Sequence, residues 1–263
     1  MPAFRIQPRS YSLCFLPFLL LAFTGRAQRP ATHVAPPSSY ARQNAFGVFG
    51  AYSETSSHIL MGIAEDRKLL EIGVVYNRRL LLKRTLHWQY SAEYLPVALE
   101  SDPVQTLTIH QTAPLKYSYT IPAQTSLPAC KSGTASYSNT ETINGVTYVT
   151  SAGTYDVACS RRWTMGQALS PVGFQVNFRP RHTLQPFLIG HGGYMYSNRP
   201  IPTETAGSFN FTFDGGAGLE LFRTRSQSVR AEYRYHHISN HDTANMNPGI
   251  DNGVFQLTYV FGR

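Results

Sequence analysis

The sequence predicts an all-β chain: an eight-stranded antiparallel, up-and-down transmembrane β-barrel with long extracellular loops. Three observations predict it. From Asn44 onward apolar and polar residues alternate with period two over stretches of 8–12 residues, the pattern of strands and not of helices. The stretches number eight, and the connections between them alternate long and short. One face of the stretches is aromatic-rich and the other holds charge and glycine, as a lipid-facing wall and a filled polar lumen require.

The eight stretches fall near 44–53, 69–79, 84–95, 168–178, 183–196, 207–222, 227–239 and 251–262. In the sixth, Phe209, Phe211, Phe213, Gly215, Ala217, Leu219 and Leu221 share one side, and Asn210, Thr212, Asp214 and Glu220 the other. Leu86, Trp88, Tyr90, Ala92 and Tyr94 alternate with His87, Gln89, Ser91 and Glu93, and Phe255, Leu257, Tyr259 and Phe261 close the chain in the same manner. Connections near 80–83, 179–182 and 223–226 are short, and those near 54–68, 96–167, 197–206 and 240–250 are long. Bacterial outer-membrane barrels combine an even strand number with short periplasmic turns and long outer loops. A soluble barrel of lipocalin type alternates equally well. The membrane form is favoured by Arg230, Glu232 and Arg234 on one strand face, by the aromatic opposite face, and by an aromatic, Phe261, near the end of the last strand. The short turns carry Arg78, Arg79, Lys83, Arg84, Arg179, Arg181, Arg223 and Arg225, either placed to meet anionic lipid of the inner leaflet or simply solvated, as turn residues commonly are.

Residues 1–27 read as a secretory signal peptide: Arg5 and Arg9 precede the apolar run Leu13–Phe23, and Gly25-Arg26-Ala27 supplies small residues for cleavage. That run is too short to span a membrane as a helix, which takes about 20 residues. Residues 28–43 are Pro- and Ser-rich and aperiodic, a flexible leader before a barrel over 44–263. Removal of Arg5, Arg9 and Arg26 with no acid takes the formal charge from +8 to +5. The basic residues form no single patch, so a nucleic-acid partner is not expected.

Of three cysteines, Cys14 lies in the signal. Cys130 and Cys159 remain, an even pair in an exported chain and so a disulfide candidate, with two free thiols as the alternative. Closing that loop is worth about 3–4 kcal/mol in the chain-entropy account. Between the two cysteines, Asn144-Gly145 separates two β-prone runs, a hairpin signal, so loop 96–167 is expected to carry a small disulfide-pinned hairpin outside the barrel.

The last hairpin holds the chemistry. Ala231, Tyr233, Tyr235, His237 and Ser239 share one strand face, while Arg230, Glu232, Arg234 and His236 share the other. If the charged face is the lumen, His237 and Ser239 continue the lipid-facing side at its outer edge. Asp251 is in parity with Phe255, Leu257, Tyr259 and Phe261, hence on the same outer face, and a register with Ser239 opposite Asp251 puts His237 on the diagonal. His237 is then placed to take the Ser239 proton while Asp251 holds the imidazole tautomer. Against this, a His-x-Ser arises by chance ~0.4 times in a chain of this size, and turns use Asn, Asp and Gly routinely. Position is what weighs: three such groups on the face that should be apolar, where head groups begin. His236, His191 and His241 read as structural or interfacial.

At these residues, His237-Ile238-Ser239-Asn240 followed by Asn247-Pro248-Gly249-Ile250-Asp251, the chain resembles the PagL-type lipid A 3-O-deacylases. The stretches Phe46–Ser53, Ser170–Phe178, Gln185–Gly193 and Phe209–Gly218 also fit that family's barrel, so the resemblance covers nearly all of the chain after the leader except much of loop 96–167. It implies an outer-membrane esterase with an exterior Ser-His-Glu triad. Carried over, the nucleophile falls on Ser239, the base on His237 and the acid, fourteen positions later, on Asp251. Asn247 and Asn240 stand at the positions of an oxyanion donor. The departure is Asp251, a methylene shorter than the family's Glu. The resemblance further implies lipid A or lipopolysaccharide of the outer leaflet as partner, hydrolysis of its 3-O-linked 3-hydroxyacyl chain, and no cofactor or metal. The competing expectation is a non-enzymatic barrel acting as anchor or adhesin through loop 96–167. A pore is disfavoured, since side chains fill an eight-stranded lumen.

Overall fold

The computed structural model describes residues 39–263. The signal segment and most of the leader lie outside the described residues. Ten strands follow in order: β1 (Asn44–Ser53), β2 (Lys68–Leu82), β3 (Leu86–Ala113), β4 (Tyr117–Thr125), β5 (Gly133–Ile143), β6 (Val146–Phe178), β7 (Leu184–Ser197), β8 (Phe209–Phe222), β9 (Gln227–Ser239) and β10 (Ile250–Gly262). Eight of them, all but β4 and β5, close into an antiparallel ring, because β3 pairs with β6 and β1 pairs with β10.

The predicted strands sit within a few residues of the observed ones, but region 96–167 differs. Instead of a loop bearing a small hairpin, β3 and β6 run on together out to the Ala113↔Ala152 pair, with β4 on one flank and β5 on the other. The local reason is visible in Thr106–His110 and Tyr117–Ile121, where β-branched and aromatic residues alternate with small polar ones. The result is a four-stranded arm whose one face is a network of Thr108, Thr120, His110, Ser118, Thr134 and Asp156. Its β5–β6 turn is Asn144-Gly145 with both φ angles positive, 50° and 81°, as a two-residue I′ hairpin demands. Cys130 and Cys159 are bonded across 29 residues of sequence.

Inside and outside follow from the alternation. The wall shows Phe46, Val48, Trp88, Phe174, Phe213, Leu219, Tyr233, Phe255, Leu257 and Tyr259 outward. The lumen is polar and paired: Arg234 reaches Glu93 at 2.8 Å, Glu232 at 2.8 Å and Asp214 at 3.4 Å, and Arg230 reaches Glu220 at 3.3 Å. Such charges are tolerated in a dry interior only when partnered. An apolar belt around an ion-paired interior is the arrangement of a transmembrane barrel. At the short-turn end the last leader residues are held against the barrel: Tyr40 packs on Phe222, and the Arg42 guanidinium lies over the same ring and donates to Ser228.

Toward the long-loop end the lumen changes from charged to apolar. Phe49, Leu69, Leu95, Met195, Ile201, Ile238, Ile250 and Val254 form a buried cluster beneath the loops. Above it Arg67, at the end of the β1–β2 connection, has no exposed surface. It donates to the carbonyls of Glu65, Leu127, Ser126 and Pro202 and to Asp102 Oδ1, so one guanidinium ties three connections together. Arg67→Ala is expected to cost about 3–5 kcal/mol, since it leaves Asp102 buried beside an empty space. Arg67→Lys should recover little, because an ammonium cannot serve a planar set of acceptors. Thermal unfolding and limited proteolysis of the outer loops measure both.

Candidate active site

His237 and Ser239 lie at the end of β9, and Asp251 is the second residue of β10. Their parity is locked from behind. Ile238 and Ile250 are direct cross-strand partners, both turned into the apolar plug and at most 2% exposed. A one-residue slip of either strand would expose those isoleucines and bury the polar set, which is how a pleated strand specifies its register. On the lumen side of β9, His236 faces Glu71 at 3.7 Å. His237, Ser239 and Asp251 are therefore on the exterior.

The register differs from the expected one. Asp251 is paired directly with His237, not with Ser239, which lies two residues further along β9, beyond the last β9–β10 pair. The β9–β10 turn sets this. His241 and Asp242 adopt left-handed φ of 50° and 59° and Gly249 one of 60°, so the chain leaves the ladder after Ser239 and re-enters at Ile250. His and Asp are among the residues that tolerate that conformation. A Cβ on Gly249 would stand 3.1 Å from the His237 ring, which leaves little room there for any larger residue.

The direct pairing gives a short contact: His237 Nδ1 is 2.6 Å from Asp251 Oδ1. A carboxylate accepts only, so Nδ1 carries a proton, and in the neutral imidazole Nε2 is then the acceptor. Tyr235, on the same face, stacks parallel to the His237 ring and donates its hydroxyl to Asp251 Oδ1 at 2.8 Å. The other carboxylate oxygen accepts from the backbone N–H groups of Leu60 at 2.7 Å and Met61 at 2.9 Å. These come from the β1–β2 connection, which folds over β10. Gly62 makes that approach possible, since a Cβ there would fall 2.6 Å from Asp251 N. Asp251 is fully buried although it belongs to an outward face.

The Ser239 hydroxyl donates to Asn247 Oδ1 at 2.9 Å and accepts from His241 N–H at 3.1 Å. Among the described residues its partners do not include His237. General-base contacts are often long before substrate is bound. Asn247 Oδ1 also accepts from Asn240 N–H at 3.1 Å. A backbone N–H can only donate, which fixes that end of the amide as oxygen and leaves Nδ2 a donor with no acceptor among the described residues. Asn240 is engaged at both ends of its side chain, donating to Met246 O and accepting from Asp242 N–H. It staples the turn.

Sequence reading passed over Tyr235, whose parity with His237 was the available signal, and over the Leu60–Met61 backbone, for which an aperiodic loop offers none. It also saw no metal-ligand cluster, because Glu93, His191 and Asp214 come from three different strands. Their ligand atoms lie within 4.8 Å of one another. Arg234 donates to both carboxylates and His191 Nε2 is engaged with Ser91, so the cation in that cluster is the guanidinium.

The family model described as "Lipid A 3-O-deacylase (PagL)" covers residues 118–260. Among solved structures, the outer-membrane enzyme PagL is 15% identical over 82% of this chain and 99% of its own, with a TM-score of 0.42. Neisserial surface protein A is 9% identical over 84% and 97%, with a TM-score of 0.41. OprG from Pseudomonas aeruginosa is 10% identical over 85% and 98%, with a TM-score of 0.37. No curated protein sequence matches the chain. The family match spans more than half of the sequence, from the arm to the last strand and across the whole Ser239–Asp251 turn, and the chain belongs to the PagL lipid A 3-O-deacylase family.

Proposed function

We propose that this outer-membrane barrel hydrolyses the ester of the 3-O-linked 3-hydroxyacyl chain of lipid A, with Ser239 as nucleophile, His237 as general base and acid, and Asp251 as the group that orients and charge-balances the imidazole. The observation that carries the reading is the 2.6 Å contact between His237 Nδ1 and Asp251, on the exterior face and two residues from a serine. In the neutral imidazole it fixes the tautomer whose Nε2 can accept a proton, on a side chain that shares Ser239's face.

In the first half-reaction Ser239 Oγ adds to the ester carbonyl as its proton passes to His237 Nε2. Asn247 Nδ2 donates to the oxyanion, a contribution of about 3–4 kcal/mol where such donors have been removed elsewhere. Collapse expels the sugar alkoxide, which takes the proton from His237, and leaves the acyl chain on Ser239. Water then adds with the same proton path and releases a 3-hydroxy fatty acid. The exterior position suits this substrate, because its ester already lies at the outer rim and the lipid need not leave the leaflet. Asp251 supports the reaction in place of Glu because direct pairing with His237 shortens the distance the acid must reach.

Purified protein in detergent micelles should lighten lipid A by one hydroxyacyl chain and release the matching free acid, read by mass spectrometry. Unchanged lipid A after prolonged incubation contradicts the reading. The second reading, an anchor or adhesin, draws on the four-stranded arm and its exposed Tyr117 and Tyr119. The two differ in what abolishes function: deletion of the arm in the second, loss of the Ser239 hydroxyl in the first.

A further inference from the structure

We propose that the tip of the β1–β2 connection, Ile59 to Ile63, is the surface that takes the hydrocarbon of the acyl chain being cleaved. This rests on the esterase reading above and names the part of the protein that grips its substrate.

The tip is apolar and turned outward. Ile59 is 46% exposed, Leu60 74%, Met61 58% and Ile63 48%. Four large apolar side chains within five residues of a connection are costly in water, at roughly 25 cal/mol for each Å², and contiguous exposure of this kind marks a contact surface. The tip is also fixed. Ile63 N–H donates to Pro248 O and Ala64 N–H to Gly249 O, while Ser57 N–H donates to Asp251 O. Gly62 turns the backbone inward against Asp251, and the four apolar side chains are left facing away.

What singles out the scissile chain from lipid in general is the tie to the acid. The same residues whose side chains form the apolar tip give their N–H groups to Asp251 Oδ2. The hydrocarbon surface thus begins one residue from the group that orients His237. A chain leaving an ester carbonyl at Ser239 meets it directly, whereas a contact with bulk leaflet lipid needs no such link. The tip covers Asp251 on the outward face of β10, the face that also carries the exposed Phe255, Leu257 and Tyr259. Because the donors are backbone groups, the side chains are free to set chain preference without altering the acid's hydrogen bonds.

Two measurements on the full barrel in micelles test this. The first is the ratio of kcat/KM for a long-chain 3-hydroxyacyl ester to that for a butyryl ester. The paired change Leu60→Asn with Met61→Gln, which keeps both N–H donors, is expected to lower that ratio about 10–100-fold, the range that small changes in an apolar contact produce. A ratio equal to the wild type's overturns the proposal, including the case in which both rates fall together. The second is photolabelling of the Ser239→Ala barrel by a lipid A analogue with a diazirine near the carbonyl of its 3-linked acyl chain. Label recovered on residues 59–63 is expected. Label confined to the barrel belt, or equal labelling of the tip by a diazirine phospholipid, overturns it. If the wild type hydrolyses neither ester, the esterase reading fails, and the labelling still decides whether the tip holds the chain.

Discussion

Replacing Ser239 with alanine is expected to abolish removal of the 3-linked chain from lipid A, a loss on the order of 10⁵–10⁶-fold in kcat by analogy with nucleophile deletions in other serine hydrolases. The barrel should survive. Ser239 is half-buried at the end of β9, and its hydroxyl makes one bond to Asn247 and accepts one from His241, worth about 1 kcal/mol each. The lumen ion pairs and the Ile238–Ile250 plug lie on the other face and are untouched. Heat-modifiable mobility on electrophoresis should therefore match the wild type while product formation in the micelle assay disappears. A Ser239→Ala barrel that deacylates at the wild-type rate removes Ser239 from the mechanism.

Asp251→Asn is expected to lower kcat by about 10³–10⁴-fold with little change in binding. An amide can offer its oxygen to the Leu60 and Met61 N–H groups or to His237 Nδ1–H, but not to both sides as a carboxylate does. With the oxygen turned to the backbone, its NH₂ faces His237 Nδ1. The imidazole must then carry its proton on Nε2, where it cannot accept one from Ser239, the tautomer error known to be costly in serine hydrolases. Asp251→Glu tests the same packing from the other direction. The family resemblance suggests that Glu is the usual acid, yet here the carboxylate fills the space between His237 and the Leu60–Met61–Gly62 backbone. The longer side chain is expected to displace that connection and to reduce the rate. Single-turnover rates with lipid A report chemistry apart from product release, and a Glu variant faster than wild type would show that the loop yields.

What the sequence displayed, and what it hid, divides along a physical line. Period-two alternation states which face a residue occupies, so the outward placement of His237, Ser239 and Asp251 was legible. Parity carries no information on register. That was set by the left-handed residues His241, Asp242 and Gly249, and it put Asp251 opposite His237 instead of Ser239. The outer arm was legible in its turn, Asn144-Gly145, and in its cysteine pair. Its strands were not, because a loop between two barrel strands is not expected to continue them. The contribution of Leu60 and Met61 was invisible in principle: any residue but proline offers a backbone N–H, and only the fold brings these to Asp251. Gly62 was the single local hint, a residue with no side chain between apolar neighbours. Asn240 and Asn247 read alike in sequence, because only the folded turn shows that both ends of the Asn240 side chain are engaged.

On the proposed mechanism the exterior Ser239, activated by His237, forms a covalent bond to the acyl group. A lipid-like alkyl fluorophosphonate, presented in the same micelles, should trap that serine. One adduct per chain is expected on the peptide containing Ser239 in the wild type, with loss of that adduct in His237→Ala. An adduct on any other residue, or equal labelling of Ser239 without His237, would contradict it.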